Sequence, residues 1–153
     1  MENIEMPRIP LIWEQAPAFS CPSTRGPINF PEDYKGKWVV LFSHPADFTP
    51  VCTTEFIGFQ EKKEEFDKRW VELIGYSVDW IHSHIAWVKN IKEKFGVDIE
   101  FPIAAHPSIA TKYGMLQPSA DDSHTVRAVF IIDPEGKLIF VTFIVQLSQA
   151  TTL

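Results

Sequence analysis

Apolar residues along this chain fall into two rhythms, one of strands and one of helices, and the rhythms alternate. Trp38-Val39-Val40-Leu41-Phe42 is an unbroken apolar run with the length and branching of a buried strand. Beyond it a helix is predicted from Pro50 to about Trp70, because Phe56, Phe59, Phe66 and Trp70 recur at spacings that line one helical face. Val71 to Ser77 reads as a second strand. A second helix is predicted from about Trp80 to Phe95, burying Ile81, Ile85, Val88, Ile91 and Phe95 and stopping at Gly96. Phe101-Pro102-Ile103-Ala104 fits a short edge strand, since proline withholds a ladder donor. Pro107 to Tyr113 fits a short helix stopped by Gly114, and residues 117–125 read as a polar loop. Arg127 to Ile132, the turn Asp133-Pro134-Glu135-Gly136 and Lys137 to Val145 form a hairpin. The first 36 residues hold many Pro and Gly, which suggests short strands and turns laid on a core. Strands alternating with helices and a closing hairpin predict an α/β domain with a mixed sheet.

Composition narrows the function classes. With 153 residues, 45% of them apolar, the chain fits one folded domain with a real core. A net charge of −6 gives no general electrostatic reason to bind nucleic acid or an anionic membrane. No apolar stretch is long enough to span a bilayer, and the acidic opening Met1-Glu2-Asn3-Ile4-Glu5 lacks the apolar region of a signal peptide. Two cysteines make neither a disulfide framework nor a zinc site, so a reducing cytoplasm is the expected setting. His82 and His84, two apart on a predicted helix, point in different directions, and His106 and His124 lack a clustered acidic or thiol partner. No metal and no cofactor is expected. Neither a G-x-S-x-G elbow nor a Gly-rich phosphate loop nor a C-x-x-C pair occurs.

The chemistry concentrates in Pro45-Ala46-Asp47-Phe48-Thr49-Pro50-Val51-Cys52, just after the first strand. Pro50 suits the first helical position with Thr49 as the cap, so Cys52 falls in the first helical turn. Unpaired N–H groups and the positive end of the helix dipole favour an anion there. A thiol so placed loses its proton more readily than a free one, and the thiolate is the nucleophile.

The motif P-x-x-x-T-x-x-C on a strand–loop–helix resembles the active site of the peroxiredoxins, and Phe42 to Phe56 resembles their one-cysteine subfamily in particular. The likeness continues through Ser77-Val78-Asp79 and Val126-Arg127-Ala128-Val129-Phe130. It implies a thioredoxin-like fold, a central mixed sheet flanked by helices, and thiol-dependent reduction of hydrogen peroxide and organic hydroperoxides. Cys52 would be the nucleophile and emerge as a sulfenic acid. Thr49 would hydrogen-bond the peroxide or the sulfur, Pro45 would cover the thiolate, and Arg127 would hold the thiolate ionised and polarise the peroxide. Glu55, one helical turn from Cys52, would orient Arg127 or stand as a solvated first-turn carboxylate. His44, just before Pro45, reads more simply as a loop histidine with a structural bond than as a residue lining the pocket.

The resemblance also implies an external thiol reductant, because no resolving cysteine follows Cys52; Cys21, upstream, reads as an incidental small apolar residue. It implies a homodimer or higher homo-oligomer. Members of the subfamily usually continue into a C-terminal dimerisation arm, whereas Val141 to Leu153 departs from that pattern, giving one domain over 1–153 without the arm. Phe143, Val145 and Leu147 would be an adhesive edge if left uncovered. The alternative readings on the same fold are a non-enzymatic holdase or scaffold and a peroxide sensor.

Overall fold

The computed structural model describes residues 9–116 and 126–144. In chain order the elements are β1 (Phe19–Cys21), β2 (Ile28–Phe30), β3 (Trp38–Ser43), α1 (Pro50–Glu61), α2 (Lys63–Lys68), β4 (Val71–Tyr76), α3 (Ile81–Phe95), β5 (Ile103–Ala104), α4 (Pro107–Lys112), β6 (Arg127–Ile132) and β7 (Leu138–Ile144). β1 and β2 form a small antiparallel ribbon. The other strands make a five-stranded sheet in the order β5-β4-β3-β6-β7, parallel across β5, β4 and β3 and antiparallel from β3 to β7. This is the mixed sheet the sequence predicts, with β3 at its centre.

Side-chain alternation splits the core in two, because successive residues of a strand face opposite sides of the sheet. Val39 and Leu41, Ile74 and Tyr76, and Ala128, Phe130 and Ile132 pack on one side with Phe19, Phe30 and Tyr113. Phe42, Leu73 and Ile103 pack on the other with Phe56 of α1 and Trp87 and Ile91 of α3. Gly75, next to last in β4, is what lets α1 lie this close. A Cβ there would sit 2.8 Å from the Phe56 ring, closer than real contacts allow.

Three sequence expectations need correction. The single helix predicted over 50–70 is two, with Lys62 as the joint. Trp70 lies beyond both, at φ 58° and 69% exposed, so it leaves the apolar face and turns the chain into β4. Helix α3 has the predicted span and the left-handed Gly96 stop, but its buried face is His84, Trp87 and Ile91. Ile85 and Phe95 are exposed instead. The apolar count put the stripe one residue out of phase, because a fully buried histidine belongs to it. The short Ile103–Ala104 strand does lie at the sheet edge, directly after Pro102. Phe143 is half-buried and meets Phe130 edge-on at 5.8 Å, so it is no free adhesive edge. Val145, Leu147, His124 and the polar loop 117–125 lie outside the described residues.

Candidate active site

The site forms at the C-terminal end of β3, where that strand leaves the sheet for α1. Ser43, the last residue of β3, ties this end to the start of β6. Its hydroxyl donates to the Val126 carbonyl at 2.6 Å and accepts from the Ala128 N–H at 2.9 Å. The register pairs Ser43 with Ala128, so Arg127 enters beside the exit of β3. Phe48, at φ 62° and half exposed, makes the tight turn that sends the chain into α1.

Cys52 is the third residue of α1 and is only 1% exposed. The Nη2 of Arg127 lies 3.5 Å from its Sγ, although the two residues are 75 apart in sequence. The same guanidinium donates through Nη1 to the Glu55 carboxylate. Glu55 is one turn along α1 from Cys52, so the helix presents thiol and carboxylate to one cation. A guanidinium held at one edge by a carboxylate offers its other edge in a fixed direction. Arg127 and Glu55 also line an apolar groove of about 370 Å³ with Phe42, Phe59, Phe66 and Val129.

Thr49 occupies the cap position of α1, with Pro50 in the first turn, but its hydroxyl makes no cap bond. It donates instead to the Ala46 carbonyl at 3.2 Å, closing the Pro45–Thr49 loop on itself. The predicted side-chain cap is therefore absent, and the hydroxyl is spent on loop shape. Pro45 is half-buried at the mouth of that loop. Cys21, in β1, is buried in the opposite apolar cluster, where burial pushes its thiol pKa up. It and Cys52 are both free thiols.

Beneath the loop lies a cluster that sequence reasoning missed. Asp47, almost wholly buried, receives His44 Nε2 on one carboxylate oxygen at 2.6 Å. On the other oxygen it receives His84 Nδ1 at 2.6 Å and the Ser83 hydroxyl at 2.9 Å. Its backbone N–H donates to Asp79 at 2.7 Å. Burial alone would raise the Asp47 pKa, but the hydrogen bonds and charge of the two imidazoles hold it well below the usual carboxylate range. Burial lowers the pKa of His44, against the pull of Asp47. The His44 ring packs against Phe56 and Trp87 at 4.8 and 4.9 Å, within the apolar cluster that holds Cys52.

Two imidazoles and a carboxylate are also a donor set for a metal. The separations are those of hydrogen bonds, well short of the roughly 3.3 Å that tetrahedral zinc imposes between its ligand atoms. The signal for this cluster was present in the sequence. His84 lies in phase with Trp87 and Ile91, which marks a polar residue on a buried face. His82, which points away from His84 as expected, is exposed, and His106 serves as the cap of α4 by accepting from the Ser108 N–H.

The profile of the AhpC/TSA family matches residues 12–141. A peroxiredoxin of Aquifex aeolicus is 59% identical over 140 residues, which cover 90% of this chain and 62% of that relative. The chain thus spans under two thirds of that relative's length. Among solved structures, a yeast mitochondrial 1-Cys peroxiredoxin, studied for thiol resolution through glutathione and thioredoxin systems, aligns with TM-score 0.81. It is 42% identical, over 89% of this chain and 68% of that one. A peroxiredoxin 6 of Arenicola marina aligns with TM-score 0.80 and 39% identity, over 88% of this chain and 64% of that one. These neighbours share the thioredoxin-like fold.

Proposed function

The chain belongs to the AhpC/TSA family, and from that premise we propose that it is a thiol-dependent peroxidase of the one-cysteine type. The observation that carries this reading is the Arg127 guanidinium, with Nη2 3.5 Å from the Cys52 sulfur and Nη1 held by Glu55. In the proposed reaction the Cys52 thiolate attacks one oxygen of a peroxide in line with the O–O bond. An S–O bond forms, the O–O bond breaks, and the departing oxygen takes the electron pair. That oxygen collects the proton the thiol gave up and leaves as water or an alcohol. Arg127 stabilises negative charge on sulfur before attack and on the departing oxygen during it. Pro45 and Thr49 shape the pocket above the sulfur. Cys52 is left as a sulfenic acid, which two equivalents of an external thiol return to thiol with release of water and a disulfide.

A small hydroperoxide is the substrate, and the reductant is a low-molecular-weight or thioredoxin-type thiol, by likeness to the yeast relative. The setting is a reducing cytoplasm and the working form a homo-oligomer; no helix among the described residues is long and apolar enough to cross a membrane. The test is intact-mass and peptide mapping of the reduced protein after one equivalent of hydrogen peroxide with a sulfenic-acid trap. Rapid trapping at Cys52 is the expected result, with Cys52→Ser inactive and Cys21→Ser within about twofold of the parent. Peroxide consumption that survives Cys52→Ser would end the reading.

A further inference from the structure

The two ring nitrogens of His84 face more acceptors than the single N–H of a neutral imidazole can serve. A neutral ring has one N–H and one acceptor nitrogen. His84 is wholly buried on α3 with an acceptor at each end: the Asp47 carboxylate 2.6 Å from Nδ1, and the Ala104 carbonyl of β5 3.1 Å from Nε2. A carbonyl oxygen can only accept. An ionised carboxylate can only accept as well, and Asp47 is already met by His44 and by Ser83. With Asp47 ionised, both nitrogens of His84 act as donors and both carry protons.

We propose that His84 is a doubly protonated positioning residue, whose imidazolium clamps Asp47 and through it the Pro45–Thr49 loop against α3 and β5. It touches neither sulfur nor peroxide. Its effect is to give the Asp47 carboxylate a buried counter-charge, so that Asp47 can stay ionised and hold His44 in the tautomer with its proton on Nε2. The titratable groups around the cluster are His44 and Asp47 from the loop after β3, and Asp79 from the loop after β4. Asp79 receives the Asp47 backbone N–H rather than facing His84. A single ionic bond buried between two elements fixes geometry more than it adds stability. Loss of that geometry would move Pro45 and Thr49 relative to Cys52, and displacements of this kind cost large factors in rate.

The inference rests on the peroxidase reading for its kinetic consequence, but not for its proton count. The first measurement is the ring-nitrogen spectrum of histidine-labelled, reduced wild-type protein at pH 7.5, with His84 assigned by its loss in His84→Gln. Two protonated nitrogens on His84 are expected; a single one, with the shared proton residing on Asp47, would overturn the proposal. The second measurement is the rate of Cys52 oxidation by hydrogen peroxide and of its alkylation by iodoacetamide in Asp47→Asn and His84→Gln. Falls of about tenfold to a hundredfold in oxidation are expected, with the His84 signal in Asp47→Asn collapsing to a singly protonated ring. Both variants folded and within twofold of wild type would overturn the positioning role. Should the wild type itself leave peroxide untouched, the peroxidase reading fails alone, and the nitrogen spectrum and the alkylation rates still decide this one.

Discussion

Arg127 is the residue on which the proposed chemistry turns, because it is the cation placed against the Cys52 sulfur and is itself held by one carboxylate. Arg127→Lys keeps a charge but loses the planar fork that serves Glu55 and Cys52 together. Its second-order rate with hydrogen peroxide, followed by stopped-flow tryptophan fluorescence, is expected to fall by about a hundredfold. Glu55→Gln removes only the orienting charge and is expected to cost about tenfold in the same assay. Cys21 gives a contrasting result. Both thiols are buried, but Cys52 has the Arg127 guanidinium beside it, whereas burial raises the Cys21 pKa. In folded protein at pH 8 iodoacetamide is therefore expected to label Cys52 faster than Cys21, with both labelled after denaturation; peptide mapping checks this.

The elements that carry the site depend on one small residue in the sheet. Gly75→Ala would drive a methyl into the Phe56 ring, and Phe56 lies one turn beyond Cys52 on α1. The expected cost is about 1–3 kcal/mol in urea unfolding, together with slower Cys52 oxidation as α1 is pushed off β4. Much of the element order was legible from periodicity: β3, β4, the edge strand, α3 with its Gly96 stop, and the β6–β7 hairpin. The loop Pro45 to Thr49 and the place of Cys52 in the first turn of α1 were legible too, because Pro50 suits the first helical position with Thr49 before it. What escaped was whatever depended on polar groups turned inward. His84 reads as a solvent residue by type, and only its phase with Trp87 and Ile91 betrays that it is buried. Thr49 reads as a cap by position, yet the Ala46 carbonyl lies close enough to claim its hydroxyl. The break at Lys62 has no mark in the apolar spacing, since Phe59 and Phe66 remain packed on the same cluster across it.

For the molecule as a whole, the buried cluster sets how stability responds to acid. In the unfolded chain His44 protonates near its ordinary value of 6.5, whereas in the fold it stays neutral to lower pH. The unfolded state then binds the extra proton, so stability is fully present above that pH and falls as pH drops through it. Asp47 adds a second loss in the same direction below about 3.8, where the unfolded carboxyl protonates and the folded one remains ionised. Between pH 7.5 and pH 5.5 the wild type is expected to lose more in urea midpoint, relative to its own value at pH 7.5, than His44→Phe, in which the His44 contribution is gone. The sheet order carries a further consequence, for the chain as it is made. β3, β4 and β5 are parallel neighbours completed by residue 104, whereas Arg127 arrives only with β6, on the opposite flank of β3. A chain still emerging from the ribosome can form α1 and bury Cys52 before its guanidinium partner has been synthesised. Until β6 has been made, the thiol has no access to the guanidinium that the proposed chemistry requires, and the last strands to be synthesised are the ones that complete the proposed site.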